Sequence, residues 1–128
     1  MSDRPGTVLF DIGAAFNLMV GVPLLVAYPS VAGLMGLSTP RTVWTDLVGA
    51  MVALFGWVYW RIARDPVGCR PYVALGIAGK LAFVAVIYSN FALGRAPAAL
   101  AALVSVDLVF ALLFLRWLRR HPAPGGRD

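Results

Sequence analysis

Residues 72–115 read YVALGIAGKLAFVAVIYSNFALGRAPAALAALVSVDLVFALLFL. Two long apolar runs flank the short link Gly94-Arg95-Ala96-Pro97. At a rise of 1.5 Å, about 20 helical residues cross a hydrocarbon core of about 30 Å, so each run is long enough to span a bilayer. So short a link makes the two helices antiparallel neighbours. Deep inside the runs stand two ionisable residues, Lys80 and Asp107. This stretch therefore predicts a transmembrane hairpin with a polar spot in its interior.

Two further apolar runs precede it, giving four spans at about 7–28, 42–60, 72–93 and 97–115. Asp11 and Asn17 interrupt the first, and Asp46 stands near the start of the second. Helices are expected, because an isolated strand cannot satisfy its backbone groups in lipid and the runs are too continuous for barrel strands. The fold class is all-α: a four-transmembrane-helix antiparallel bundle forming one domain over residues 1–120, then a disordered cytoplasmic tail over 121–128. Apolar types make up 60% of the chain and charged types 13%, about half the share usual in soluble domains. The net charge of +5 comes with no basic stripe on a soluble element, so nucleic acid is not an expected partner. The single Cys69 excludes an internal disulfide or a cysteine cluster, and the one histidine, His121, lies in the Pro/Gly-rich tail. No cofactor, metal site or catalytic residue is assigned.

Between spans, Pro29 follows the first helix, and Ser30 to Leu37 reads as a semi-apolar connector suited to the interface. Thr39 is placed as N-cap of the second helix, with Pro40 at its first position. Asp65-Pro66-Val67-Gly68 breaks the chain after that helix. No small-residue cleavage site follows the first run, so it is expected to be a retained helix.

Orientation follows from the arginines. Arg4, Arg61, Arg64, Arg70, Arg116, Arg119, Arg120 and Arg127 flank one side, and only Arg41 and Arg95 the other. Positive residues stay inside, which places both termini in the cytoplasm. Trp57, Tyr59, Trp60 and Trp117 would form the cytoplasmic aromatic belt, and Tyr28 and Trp44 the opposite one.

Counting from that side, Lys80 lies eight residues in from Tyr72, Asn17 ten after Thr7, and Asp107 nine before Arg116. All three fall about 12–15 Å deep. A lone charge at mid-helix costs roughly 2.5–3.5 kcal/mol on insertion scales, which favours a Lys80–Asp107 pair completed by Asn17. The alternative is that Lys80 snorkels to the headgroups and leaves Asp107 as a neutral, hydrogen-bonded acid. Asp46, near the level of Asn90 and Tyr88, is a secondary polar candidate. Arg41 or Arg95 could pair with it, and the helix dipole alone would stabilise it. Gly13, Asn17 and Gly21 on the first helix, Gly49, Ala53 and Gly56 on the second, and Gly76 with Lys80 on the third mark faces for close helix packing.

With the segments FNLMVGVPLL (16–25), GKLAF (79–83) and SVDLVFALLF (105–114), the four-span layout, cytoplasmic termini and glycine-rich helices resemble the small bacterial DoxX-like membrane proteins. That resemblance implies a bacterial inner-membrane protein associated with quinone or redox complexes. It carries over no site residue. Two functions fit these observations. The first is a non-catalytic accessory or structural subunit of a membrane assembly, as a homo-oligomer or within a larger complex. The alternative is a carrier or binder of a small lipophilic or anionic ligand, such as a lipid or quinone, at the intramembrane Lys80/Asp107 pair.

Overall fold

A computed structural model describes residues 4–125. Among them are five helices: α1 (Arg4–Val26), α2 (Tyr28–Met35), α3 (Val43–Arg64), α4 (Arg70–Ala92) and α5 (Ala98–Arg120). Four of these, all but α2, are long and apolar enough to cross a membrane. Large apolar side chains such as Ile12, Met19, Leu54, Leu75, Val86 and Leu112 point outward, as a lipid-facing surface requires. The molecule is a small all-α membrane protein.

The helices alternate in direction. Contacts between Gly21 and Ala53 and between Leu18 and Gly56 run antiparallel along α1 and α3, as do Lys80–Asp107 and Arg70–Leu118 along α4 and α5. Packing is tightest within the pairs α1/α3 and α4/α5, and much lighter between the pairs. Glycine explains the first pair. A Cβ on Gly21 would lie 2.4 Å from the Ala53 nitrogen, so the two backbones touch where any side chain would separate them. Gly49 and Gly56 admit Leu24 and Leu18 of α1 in the same seam.

At the end bearing the termini, the two pairs meet through a dense aromatic core. Phe10 packs on Phe114 at 4.8 Å between ring centroids and edge-on to Trp117 at 5.3 Å, with Tyr59 on Phe114 at 5.2 Å. Ile62 and Val73 seal this end, each with no exposed surface. Arg70 ties the α4 start to the α5 end, donating Nε–H to the His121 carbonyl (2.7 Å) and Nη2–H to that of Leu118 (3.2 Å). These are carbonyls a helix C-terminus leaves unmatched.

Several boundaries differ from the sequence expectation. The α3 N-cap is Thr42, not Thr39: Thr42 and Thr45 exchange hydroxyl-to-backbone bonds in a capping box, satisfying two otherwise orphaned donors. Thr39 is held in the preceding link, where its carbonyl accepts the Tyr28 hydroxyl at 2.8 Å. The connector is itself helical, and α2 ends where Gly36 turns left-handed (φ 65°), which returns the Leu37 N–H to the Ala32 carbonyl. Helices α3 and α5 run on to Arg64 and Arg120, because arginine is a good helix former and suits a helix C-terminus. In the expected tail, His121 is fixed by stacking on Trp117 at 4.4 Å; residues 126–128 lie outside the described residues.

The aromatic belts also need correction. Trp57, Trp60 and Trp44 face outward, but Tyr59, Trp117 and Tyr28 are buried in the bundle. Tyr59 continues the small-residue face Gly49, Gly56, Ala63 at helical spacing, which turns it inward.

Candidate functional site

Asn17, Lys80 and Asp107 meet at one level. The Lys80 ammonium donates to Asp107 Oδ1 at 2.5 Å and to Asn17 Oδ1 at 3.0 Å. Asn17 in turn donates its Nδ2–H to the Val52 carbonyl of α3 at 3.1 Å. One polar layer thus links all four long helices. Lys80 is 4% exposed, so it does not snorkel, whereas the Asp107 side chain keeps 19% of its surface.

Three rings complete the setting of the ammonium. Lys80 Nζ lies 5.1 Å from the Tyr59 centroid, 5.4 Å from Phe110 and 5.8 Å from Phe16, all within cation–π range. The Tyr59 ring reaches this position because Gly76 leaves room: a Cβ there would lie 2.7 Å from Tyr59 Cε1. The three rings were not foreseen as a set. Phe110 does follow Asp107 by three residues, so helical spacing carried that part of the signal; Phe16, merely adjoining Asn17, gave none.

The other candidates stand apart. Asp46 pairs with Arg41 at 2.9 Å on the surface, at the α2 end, and the same arginine donates to the Leu25 carbonyl. The Tyr88 hydroxyl shares a 2.6 Å hydrogen bond with Ser105. The Asn90 side-chain amide donates back to the Val86 carbonyl of its own helix. These residues do not form a common site with Asp46.

Above the layer, towards the α2 end, the two helix pairs part around a cavity of about 500 Å³. Its walls are apolar: Val20 and Leu24 from α1, Met51 and Phe55 from α3, Phe83 from α4, and Leu103 from α5. Thr39, Thr42 and Thr45 stand at the α2 end. Asn17, Lys80 and Asp107 line its floor, and among the described residues the last two are the only charged ones in the lining. The aromatic core lies beyond that floor, so the cavity is a cleft closed towards the termini. Volumes of this size suit a drug-sized molecule, with apolar walls supplying affinity and a few polar groups fixing orientation. Among the described residues, no group of His, Cys, Asp and Glu could hold a metal ion.

The chain matches no family model, no curated protein and no solved structure.

Proposed function

We propose that this membrane protein binds a lipophilic ligand in the cleft, with the ligand's polar head at the Lys80–Asp107–Asn17 layer. One observation carries the reading: an apolar cavity of about 500 Å³ ends on a buried ammonium and its carboxylate partner. Charges at this depth are costly, and where they line a cavity they mark ligand paths. The closed aromatic end favours a binder over a channel. Native mass spectrometry of gently extracted protein tests the reading. The wild type is expected to carry a stoichiometric small molecule, and Leu103→Trp, which fills the cleft, to lose it while remaining folded. A bare wild-type protein refutes it.

A second reading, the accessory subunit, is supported by the completeness of the layer, since Lys80, Asp107 and Asn17 already satisfy one another. The Lys80→Met/Asp107→Leu double variant separates the two. It loses ligand under the first reading and keeps full function in its assembly under the second.

The same proposal places both termini in the cytoplasm of a bacterial inner membrane. The orientation is supported by the clustering of arginines at one end of the bundle, where Arg61, Arg64, Arg70, Arg116, Arg119 and Arg120 gather. Cys69, part-exposed at that end, is a natural reporter. A membrane-impermeant maleimide is expected to label it only after permeabilisation; labelling of intact cells reverses the orientation.

A further inference from the structure

We infer that the ligand of this cleft is a single-chain amphiphile bearing one negative charge, and that it binds together with one proton. This rests on the reading of the cleft as a ligand site and adds the chemical class and its coupling.

The walls set the class of tail. They are apolar from the floor to the threonines at the α2 end, and the volume is that of a drug-sized molecule, smaller than a two-chain phospholipid. The floor sets the head. An ammonium has three N–H donors and no acceptor, and Lys80 uses two of them on Asn17 and Asp107. A neutral head gains little from such a group; an anion gains a charge-assisted bond in a dry setting. Of the two charged residues that line the cleft, Asp107 keeps more exposed surface, so an arriving anion meets the pair at Asp107 and takes over its place on Lys80.

Charge balance then fixes the coupling. The resting pair is neutral. A second anion beside one ammonium would leave a net negative charge in an apolar, cation-poor interior, which is strongly unfavourable. Neutrality returns if one proton from solution is taken up on the Asp107 carboxylate: Lys80–NH3⁺···⁻OOC–Asp107 plus L⁻ plus H⁺ gives Lys80–NH3⁺···L⁻ plus HOOC–Asp107. No other lining group supplies compensation. From α1 the layer is faced by the uncharged Asn17, and from α3 by Tyr59, whose hydroxyl is directed at the Gly76 carbonyl. Lys80 is the sole charge from α4 and Asp107 from α5. Tyr28 sits at the far end with its hydroxyl bonded to Thr39, the Arg41–Asp46 pair is outside the cleft, and Asp11 does not line it.

The test uses wild type and Asp107→Asn in lipid nanodiscs, with two probes of equal chain length. Dodecylsulfonate stays ionised throughout, and dodecanol is neutral. Titration calorimetry in two buffers of different protonation enthalpy counts protons per ligand. Wild type is expected to prefer the sulfonate, to take up one proton with it, and to bind about tenfold more weakly per pH unit as pH rises. Asp107→Asn leaves Lys80 without its counter-ion, so the sulfonate no longer has to displace a carboxylate and should bind more tightly than to wild type. Equal binding of both probes, or sulfonate binding without a proton in wild type, overturns the inference while the cleft remains a ligand site. Saturable binding of neither probe overturns the ligand site itself. If Asp107→Asn does not fold, the wild-type proton count decides alone.

Discussion

Removing one member of the Lys80–Asp107 pair should be far worse than removing both. Asp107→Leu strands an ammonium that is 4% exposed, leaving it only the Asn17 oxygen and three aromatic faces. Breaking a buried pair from one side costs about 3–5 kcal/mol, and the 4% exposure of Lys80 puts this variant at about 4. Lys80→Met strands Asp107, whose side chain is less buried (19% exposed) than that of Lys80, so the penalty is smaller and about 2–3 kcal/mol is expected. The double variant replaces the pair with apolar groups of similar volume. It should lie within about 1 kcal/mol of wild type, which makes the coupling at least about 5 kcal/mol. Equilibrium unfolding in bicelles, followed by steric trapping, measures all four corners of the cycle. If both single variants lie within about 0.5 kcal/mol of wild type, or the effects add, the pair does not hold the bundle together as described.

Three further outcomes follow from the packing. Gly21→Ala should cost about 1–3 kcal/mol, since its Cβ meets α3 backbone that has no rotamer to yield; Gly33→Ala on α2, with nothing within 4 Å, should be neutral or slightly stabilising, and thermal melts of both check this. Tyr59→Phe keeps the ring beside Lys80 and loses a long 3.5 Å hydroxyl contact, so it should change stability by less than about 1 kcal/mol, against about 3–5 for Tyr59→Ala in the same unfolding assay. Arg41→Ala breaks an ion pair whose side chains are half exposed and should cost no more than about 1 kcal/mol, read by the same melts at low salt.

What could be read in the chain divides along physical lines. Hydropathy exposes spans because lipid imposes one requirement on every residue of a run, so α4 and α5 were legible at once. Depth counting brought Asn17, Lys80 and Asp107 to one level because helical rise is constant. Rotation about the helix axis was harder. Tyr59 and Trp60 are neighbours in sequence, yet one lies beside Lys80 and the other faces outward. Helix ends were misplaced where charges lie beyond the apolar run: hydropathy stops at Trp60 and Leu115, while helical hydrogen bonding continues through the arginines. The cleft was not legible at all. It depends on how far two helix pairs stand apart, and that distance reflects the sum of bulky contacts across a seam, which no local pattern records.

The unequal packing has a mechanical consequence. Helices α1 and α3 are locked by backbone contact at Gly21, and α4 and α5 are joined at both ends, by the turn at Gly94 and by the grip of Arg70 on α5. Each pair is therefore a stiff arm. Between them runs the tight bend at Asp65–Gly68, with the Asp65 carboxylate accepting the Gly68 N–H at 3.0 Å beside the aromatic core. Two stiff arms clamped together at one end behave as tweezers. Spreading their tips at the α2 end would widen the cleft against little more than the approach of Gly36 to Pro97, while the Lys80 layer, nearer the clamped end, would move less.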